Sequence, residues 1–125
     1  MRIDRPLILL VEDSKTISEI LQFLLEAEGF SIIKLSDSTC IQKEVYKNSP
    51  NIVLMDMLLL NSNGCDACRN LKMNEDMINL PIIMMSAHPD GKKECLAAGA
   101  DDFIEKPFET IDLVNLLYSN LSPNI

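Results

Sequence analysis

Reactive side chains follow four short apolar runs of this sequence, which are LILLV (7–11), IVLM (52–55), IIMM (82–85) and FI (103–104). The carboxylates Glu12 and Asp13 follow the first run, and the carboxylate Asp56 follows the second. The hydroxyl of Ser86 follows the third run, and the ammonium of Lys106 comes two residues after the fourth. Runs of this kind are typical of strands buried on both faces of a parallel sheet. Since ligands of such sheets bind beyond the carboxyl ends of the strands, we expect these five side chains to meet at one edge.

The three carboxylates and the two phosphoryl-binding groups suggest metal-assisted phosphoryl chemistry. Carboxylate oxygens on neighbouring strand ends suit Mg²⁺, with Mn²⁺ as an alternative. Without a cation, each pair of carboxylates ~4 Å apart would repel by ~4 kcal/mol at an effective dielectric constant of ~20. A lysine ammonium and a serine hydroxyl are suited to phosphoryl oxygens, and a carboxylate can itself attack phosphorus.

The elements that must position these groups alternate between strand and helix five times. We predict strands at about 7–11, 31–35, 51–56, 81–86 and 102–105, and helices at about 15–28, 38–47, 64–73, 90–98 and 109–120. Alternation of this kind predicts an α/β domain with a parallel sheet between two layers of helices and right-handed crossovers. We expect one domain over residues 1–125.

Composition excludes several classes of function. The net charge of −8 argues against nucleic acid binding, which requires a basic face. No signal peptide is apparent, and no apolar run approaches the ~20 residues that span a bilayer. The four cysteines, Cys40, Cys65, Cys68 and Cys95, indicate reduced thiols in a cytoplasmic protein. Cys65 and Cys68 lack the second ligand pair of a zinc site, so we interpret them as small, buried or half-buried helix residues.

Four segments resemble the receiver domain of response regulators in two-component signalling: LILLVEDS (7–14), NIVLMDMLLLNSNG (51–64), LPIIMMSA (80–87) and AGADDFIEKPF (98–108). The resemblance extends from Pro6 to about Leu121. It implies a flavodoxin-like (βα)5 doubly wound fold, with a parallel five-stranded sheet in the order 2-1-3-4-5 and the site at the switch between strands 1 and 3.

The resemblance also implies a signalling module rather than an enzyme. Such a module takes a phosphoryl group from a histidine kinase or phosphotransfer protein and assists only its own phosphorylation and dephosphorylation. It then acts on a downstream output protein or domain through the surface of its fourth helix, fifth strand and fifth helix. A phosphorylation-dependent dimer is one form that this output could take.

By the same resemblance, Asp56 is the phosphoryl acceptor. We expect Mg²⁺ to be bound by the carboxylates of Glu12, Asp13 and Asp56 and by the backbone carbonyl of Met57. Ser86 and Lys106 would contact the phosphoryl group, and the family has a cis peptide bond between this lysine and the proline that follows it, here Pro107.

Three further residues match positions that tune or transmit phosphorylation in the family. Phe103 matches the switch aromatic that acts together with Ser86, although plain core packing explains a phenylalanine there equally well. Leu58 and His88 flank the expected acyl phosphate, and Leu58 has no polar group to orient a hydrolytic water. The sequence departs from the family pattern at Leu60, where a proline is common, and at Asn63, where an aspartate is common.

Three other classes remain as alternatives. A phosphatase of the haloacid dehalogenase type also uses an aspartate, Mg²⁺ and a lysine, but its nucleophile lies on an early strand in an Asp-x-Asp motif. A flavin mononucleotide binder requires a phosphate loop rich in Ser, Thr and Gly after the first strand, where this chain has Glu12 and Asp13. A receiver-like scaffold without phosphotransfer would not need the full set of site residues.

Overall fold

The computed structural model describes residues 5–60 and 62–121. Across these ranges the strands are β1 Leu7–Val11, β2 Ser31–Leu35, β3 Ile52–Asp56, β4 Leu58–Leu59, β5 Ser62–Asn63, β6 Ile82–Ser86 and β7 Asp102–Glu105. The helices are α1 Lys15–Ala27, α2 Ile41–Asn48, α3 Gly64–Met73, α4 Gly91–Ala97 and α5 Thr110–Asn120. The predicted domain limits, residues 1 and 125, lie outside the described residues. Within the described ranges, no helix combines the length and hydropathy needed to cross a membrane.

Five strands form one parallel sheet in the order β2-β1-β3-β6-β7. Since β4 and β5 form a separate two-stranded hairpin, this order is the predicted order 2-1-3-4-5 of a flavodoxin-like sheet. The register aligns the strand ends: Asp56 pairs with Met85 and Ser86 pairs with Glu105. The predicted reactive residues therefore reach the same edge of the sheet.

The central strands are buried on both faces, as their continuous apolar sequences predict. Successive residues of a strand point to opposite faces. Leu9, Val53 and Met84 therefore belong to the core that includes α2, α3 and α4, and Leu10 and Leu54 belong to the core that includes α1 and α5. Burying each large side chain contributes ~1.5–3 kcal/mol. These two apolar layers hold the central strands in place and so fix the position of their carboxyl ends.

The second helix begins later than predicted. We expected it to start near Ser38, but α2 begins at Ile41. The Asp37 side chain accepts a hydrogen bond from the Thr39 amide (2.8 Å), and the Ser38 hydroxyl donates to the Ser62 hydroxyl (2.8 Å). These side-chain hydrogen bonds compete with helix formation, so the segment forms a turn instead. The turn thereby contacts the hairpin that follows β3.

A lysine on α3 holds the segment that leads into β6. The Lys72 ammonium donates to the carbonyl oxygens of Ile78 (3.2 Å) and Leu80 (3.0 Å) and to Oδ2 of Asp101 (2.7 Å). The same Asp101 oxygen accepts from the Ile82 amide at 2.8 Å. One cation therefore links α3, the end of the α3–β6 connection and the turn before β7.

Candidate functional site

Two buried carboxylates share one ammonium group at the carboxyl edge of the sheet. Glu12 and Asp56 are 3% and 8% exposed. The Lys106 ammonium lies 2.5 Å from Oδ2 of Asp56 and 3.3 Å from Oε1 of Glu12. Lys106 is 94 positions from Glu12 and 50 positions from Asp56 in the chain. The fold brings the three residues into one ion-pair network, as the strand-end pattern predicts.

Each of these carboxylates also binds the loop that follows its own strand. Oε2 of Glu12 accepts a hydrogen bond from the Ser14 amide (3.2 Å), and Oδ1 of Asp56 accepts one from the Leu58 amide (3.0 Å). The other oxygen of each carboxylate contacts Lys106. Both side chains are therefore held in one orientation by a backbone donor on one side and a cation on the other.

Lys106 is itself positioned by the end of the neighbouring strand. Its amide donates to the carbonyl oxygen of Ser86 at 3.0 Å. The peptide bond between Lys106 and Pro107 is cis, as the family resemblance implies. The lysine side chain is about one-quarter exposed, at 23%, so the ion-pair network can be reached from solvent.

Burial and mutual interaction shift the proton affinities of this network. Burial raises the pKa of Glu12, and the nearby Asp56 charge adds to this, while the Ser14 amide and Lys106 oppose it. Burial alone would lower the pKa of Lys106, but hydrogen bonds and charge attraction from Asp56 and Glu12 outweigh it, so that pKa is raised. Lys106 is therefore held in its charged form. With both carboxylates ionised, two negative charges face one positive charge, and the network keeps a net negative charge.

The donor chemistry of the site suits a hard divalent cation, although the carboxylates are not gathered around one point. Glu12 and Asp56 are buried together with Lys106, and Asp13 is only partly buried beside them. Across residues 5–60 and 62–121, no three carboxylate, imidazole or thiol side chains lie close enough to hold a metal ion. Mg²⁺ prefers oxygen ligands, and both the oxygen donors and the net negative charge of this network suit it. The structure itself pairs the two buried carboxylates with Lys106.

Gly64 lies directly against the backbone of Asp56 and Met57. Its amide donates to the Met57 carbonyl oxygen at 2.8 Å, which leaves that oxygen a second lone pair. A Cβ atom at Gly64 would lie 2.3 Å from the Asp56 carbonyl oxygen, closer than any real contact. Only glycine fits here, and this close approach fixes the loop behind the candidate acceptor despite the departures at Leu60 and Asn63.

Ser86 and Phe103 form a packed unit with a residue that the sequence did not single out. Ser86 is 1% exposed, and its hydroxyl oxygen accepts from the His88 amide at 2.9 Å. A Cβ atom at Gly91 would lie 3.1 Å from Oγ of Ser86 and 3.2 Å from Cζ of Phe103. The first residue of α4 therefore contacts both expected switch residues. In the sequence, Gly91 follows a Pro-Asp pair and indicates only a turn.

The two residues expected to tune the site lie in its flanking loops. Leu58 is 59% exposed, and its amide bonds the Asp56 carboxylate. His88 is also exposed, and its Nδ1 accepts from the Asp90 amide at 3.1 Å. One ring nitrogen of His88 is thus used within its own loop, which leaves the other nitrogen for solvent or ligand.

Comparison with known proteins places this geometry in a family. The sequence matches the response regulator receiver domain family over residues 8–118. A protein assigned as a response regulator from Chloroflexus aurantiacus is 27% identical, with a TM-score of 0.88 over 93% of this chain and 97% of that one. The receiver domain of a signal transduction histidine kinase from Syntrophus aciditrophicus is 30% identical, with a TM-score of 0.85 over 93% of this chain and 89% of that one.

A third similar structure contains a metal. The receiver domain of a sensor histidine kinase from Pseudomonas aeruginosa is 28% identical, with a TM-score of 0.85 over 92% of this chain and 96% of that one, and it has a magnesium ion coordinated in its active-site cleft. The family match, the parallel sheet in the predicted order and the aligned strand ends agree with one another. This chain belongs to the response regulator receiver domain family of two-component signalling.

Proposed function

We propose that this protein accepts a phosphoryl group on Asp56 and thereby controls a surface formed by α4, β7 and α5. The observation that carries the proposal is the shared contact of Lys106 with the buried carboxylates of Asp56 and Glu12. A buried, oriented carboxylate with a cation beside it is suited to attack on phosphorus. The donor would be a phosphohistidine of a histidine kinase or phosphotransfer protein.

In the transfer step, a carboxylate oxygen of Asp56 forms a bond to phosphorus as the bond from phosphorus to the donor histidine nitrogen breaks. The Lys106 ammonium, now paired with Oδ2 of Asp56, lies where it can exchange that contact for a phosphoryl oxygen. The hydroxyl oxygen of Ser86 accepts from a backbone amide, so the hydroxyl proton is available to a phosphoryl oxygen. These contacts stabilise charge on the transferred group.

Charge balance supports a divalent cation as a further requirement. A phosphoryl group carries about −1.5 to −2 charge at neutral pH, and it would enter a network that already has a net negative charge. One lysine cannot neutralise both the phosphoryl group and the two buried carboxylates. We propose that Mg²⁺, or Mn²⁺ in its place, is held by Glu12, Asp13, Asp56 and the carbonyl of Met57. The cation would shield the carboxylates from the incoming group and stabilise its developing charge.

The response would pass through Ser86 and Phe103 to α4. Ser86 drawn toward a phosphoryl oxygen would leave space beside the Phe103 ring, and Gly91 at the start of α4 contacts both. A downstream protein or domain would recognise the altered α4, β7 and α5 surface, and a phosphorylation-dependent dimer through the same surface is a second form of output. A shift from 1:99 to 99:1 between two states requires ~5.5 kcal/mol of differential binding.

The test is modification at Asp56. Incubation with acetyl phosphate in Mg²⁺ should add one phosphoryl group, observed by intact mass, and EDTA should prevent it. Asp56→Asn should abolish the modification, whereas Asp66→Asn, which removes an exposed carboxylate on α3, should not. A stable phosphoryl group on the Asp56→Asn protein would refute the assignment. No modification of the parent by acetyl phosphate or by a phosphorylated kinase would favour a scaffold without phosphotransfer.

A further inference from the structure

Two cysteines from different helices meet in the core between α3 and α4. The sulfur atoms of Cys65 and Cys95 lie 3.9 Å apart, and both residues are buried. Cys68 is also fully buried, one turn further along α3. Cys65 and Cys68 are buried residues of α3, as predicted from their spacing. The contact between Cys65 and Cys95, which are 30 positions apart, could not be predicted from the spacing of the cysteines along the chain.

Cys65 is one of the residues that line a surface groove of about 420 Å³ between α3 and α4. The groove is also lined by charges of both signs, from Arg69 on α3, Lys93 and Glu94 on α4 and Asp90 just before α4. A small, uncharged oxidant entering this groove would therefore meet Cys65 first. Burial raises the pKa of Cys95 to about 12, so its thiol stays protonated and unreactive toward solvent at neutral pH. Cys65 is 4% exposed and lines the groove, whereas Cys95 is fully buried behind it.

We propose that Cys65 and Cys95 form an oxidation site, which peroxides convert to a disulfide that restrains α4 against α3. A disulfide requires sulfur atoms ~2.05 Å apart, so the two atoms must approach by about 2 Å. This approach requires rotation of the two cysteine side chains together with a small displacement of α4, which is seven residues long. The reaction involves only the two thiols and does not depend on phosphorylation.

The reaction balances with a peroxide as the oxidant. The Cys65 thiolate attacks one oxygen of hydrogen peroxide, the O–O bond breaks, and the leaving hydroxide takes a proton to become water, which leaves a sulfenic acid on Cys65. The Cys95 sulfur then attacks the Cys65 sulfur. An S–S bond forms, the S–O bond breaks, and the departing hydroxide takes the Cys95 proton as a second water. Two thiols are oxidised and one peroxide is reduced.

The position of Cys95 gives the disulfide a structural consequence. Cys95 and Gly91 are four residues apart on α4 and are its two buried residues, so they share its inward face. Gly91 packs against Ser86 and Phe103. A bond that fixes Cys95 to α3 would therefore also limit how far Gly91 can move. Oxidation would restrain the same helix that we propose to respond to phosphorylation.

The test uses Cys40→Ser protein, because Cys40 is exposed and would form intermolecular disulfides. After hydrogen peroxide treatment of the folded protein, the intact mass should fall by two hydrogen atoms, and a digest should contain one peptide that joins the segments of Cys65 and Cys95. Dithiothreitol should reverse both changes. Cys68→Ser should keep the crosslink, whereas Cys65→Ser and Cys95→Ser should lose it. Amide exchange in residues 91–97 should be slower in the crosslinked form.

Several results would overturn this inference. A crosslink that survives in Cys95→Ser would show that Cys65 pairs with Cys68 instead. Sulfinic or sulfonic acid on Cys65 as the only product, or no reaction at peroxide concentrations that oxidise Cys40 in the parent, would show that the two sulfurs do not pair. A crosslink without any change in amide exchange would refute the restraint of α4. Each readout works whether or not Asp56 accepts phosphate.

Discussion

Gly91 lies against the ring of Phe103, so close that a Cβ atom at Gly91 would be 3.2 Å from Cζ of the ring. The same Cβ atom would be 3.0 Å from Cβ of Ser86. The first residue of α4 therefore packs against both the end of β6 and the aromatic residue of β7. A movement of any one of them must be accommodated by the other two, because packed interiors leave little free volume.

We expect Gly91→Ala to destabilise the protein and to weaken the response of Phe103 to site occupancy. Alanine normally stabilises a helix relative to glycine by ~0.5–1 kcal/mol. Here the added methyl group would crowd the buried Ser86 and the Phe103 ring, which must give by a few tenths of an ångström, at a cost of ~1–3 kcal/mol. Urea unfolding measures the first effect, and backbone NMR shifts on beryllofluoride addition measure the second.

A double-mutant cycle tests whether the effect comes from the Phe103 contact. Phe103→Leu removes Cζ, so it should relieve part of the cost of Gly91→Ala and give a favourable coupling energy of ~0.5 kcal/mol or more. Additive effects of the two substitutions would show that Gly91 and Phe103 act independently, and the proposed route from the site to α4 would lose its basis.

Gly64→Ala should damage both stability and phosphoryl acceptance. A Cβ atom there would meet the Asp56 carbonyl oxygen at 2.3 Å and the terminal methyl carbon of Met84 at 2.9 Å. The backbone must shift, which we expect to cost ~1–3 kcal/mol and to displace Asp56. Urea unfolding and acetyl phosphate labelling measure the two effects. An unchanged labelling rate in a stable Gly64→Ala protein would contradict the role given to this close approach.

Mg²⁺ should stabilise the folded protein, and Asp13 should be required for it. A metal that binds only the folded state at a hundredfold excess over its Kd stabilises by ~2.7 kcal/mol. Asp13→Asn should remove the rise in melting temperature with Mg²⁺, and in EDTA it should melt above the parent because it reduces charge repulsion. The control is Asp66→Asn, which removes an exposed charge on α3. A lower melting temperature for Asp13→Asn in EDTA would make Asp13 a structural residue instead.

The lifetime of the phosphorylated state should depend on Leu58 more than on His88. Leu58 is exposed next to Asp56 and cannot orient a water molecule, whereas an asparagine there could. We expect Leu58→Asn to speed phosphate loss, and His88→Ala to change it by less than about tenfold, or ~1.4 kcal/mol. Phosphate release from the labelled protein in excess Mg²⁺ measures both rates. A large slowing in His88→Ala would instead identify His88 as the residue that positions water.

The sheet and its reactive edge could be predicted because both depend on local patterns. Continuous apolar runs identify strands buried on both faces, and the residue that ends such a strand must lie at the edge where Asp56 and Ser86 are found. The family resemblance added the strand order and the cis bond before Pro107. These features need no knowledge of which side chains touch across the fold.

Other features could not be predicted, because they depend on contacts between distant segments. The late start of α2 follows from hydrogen bonds that include one from Ser38 to Ser62. The β4–β5 hairpin has two residues in each strand, too few for a periodic signal. The strand-end pattern predicts that Lys106 meets Asp56 and Glu12 at one edge, but it does not indicate which of their oxygen atoms the ammonium contacts. The contact of Gly91 with Phe103 likewise joins residues whose spacing carries no pattern.

The lysine that links α3 to the turn before β7 also affects how readily a protease can cut the chain. The connection between Met73 and Pro81 has neither helix nor strand over most of its length and carries exposed polar residues, which are features that proteases select. A protease must draw several residues out of their native course, however, and Lys72 binds two carbonyl oxygens of this connection. The half near Asn74 is held as well, because the Tyr46 hydroxyl on α2 accepts from the Asn74 side chain (3.2 Å) and donates to Asp76 (3.0 Å). Both halves of the connection therefore resist being drawn into a protease.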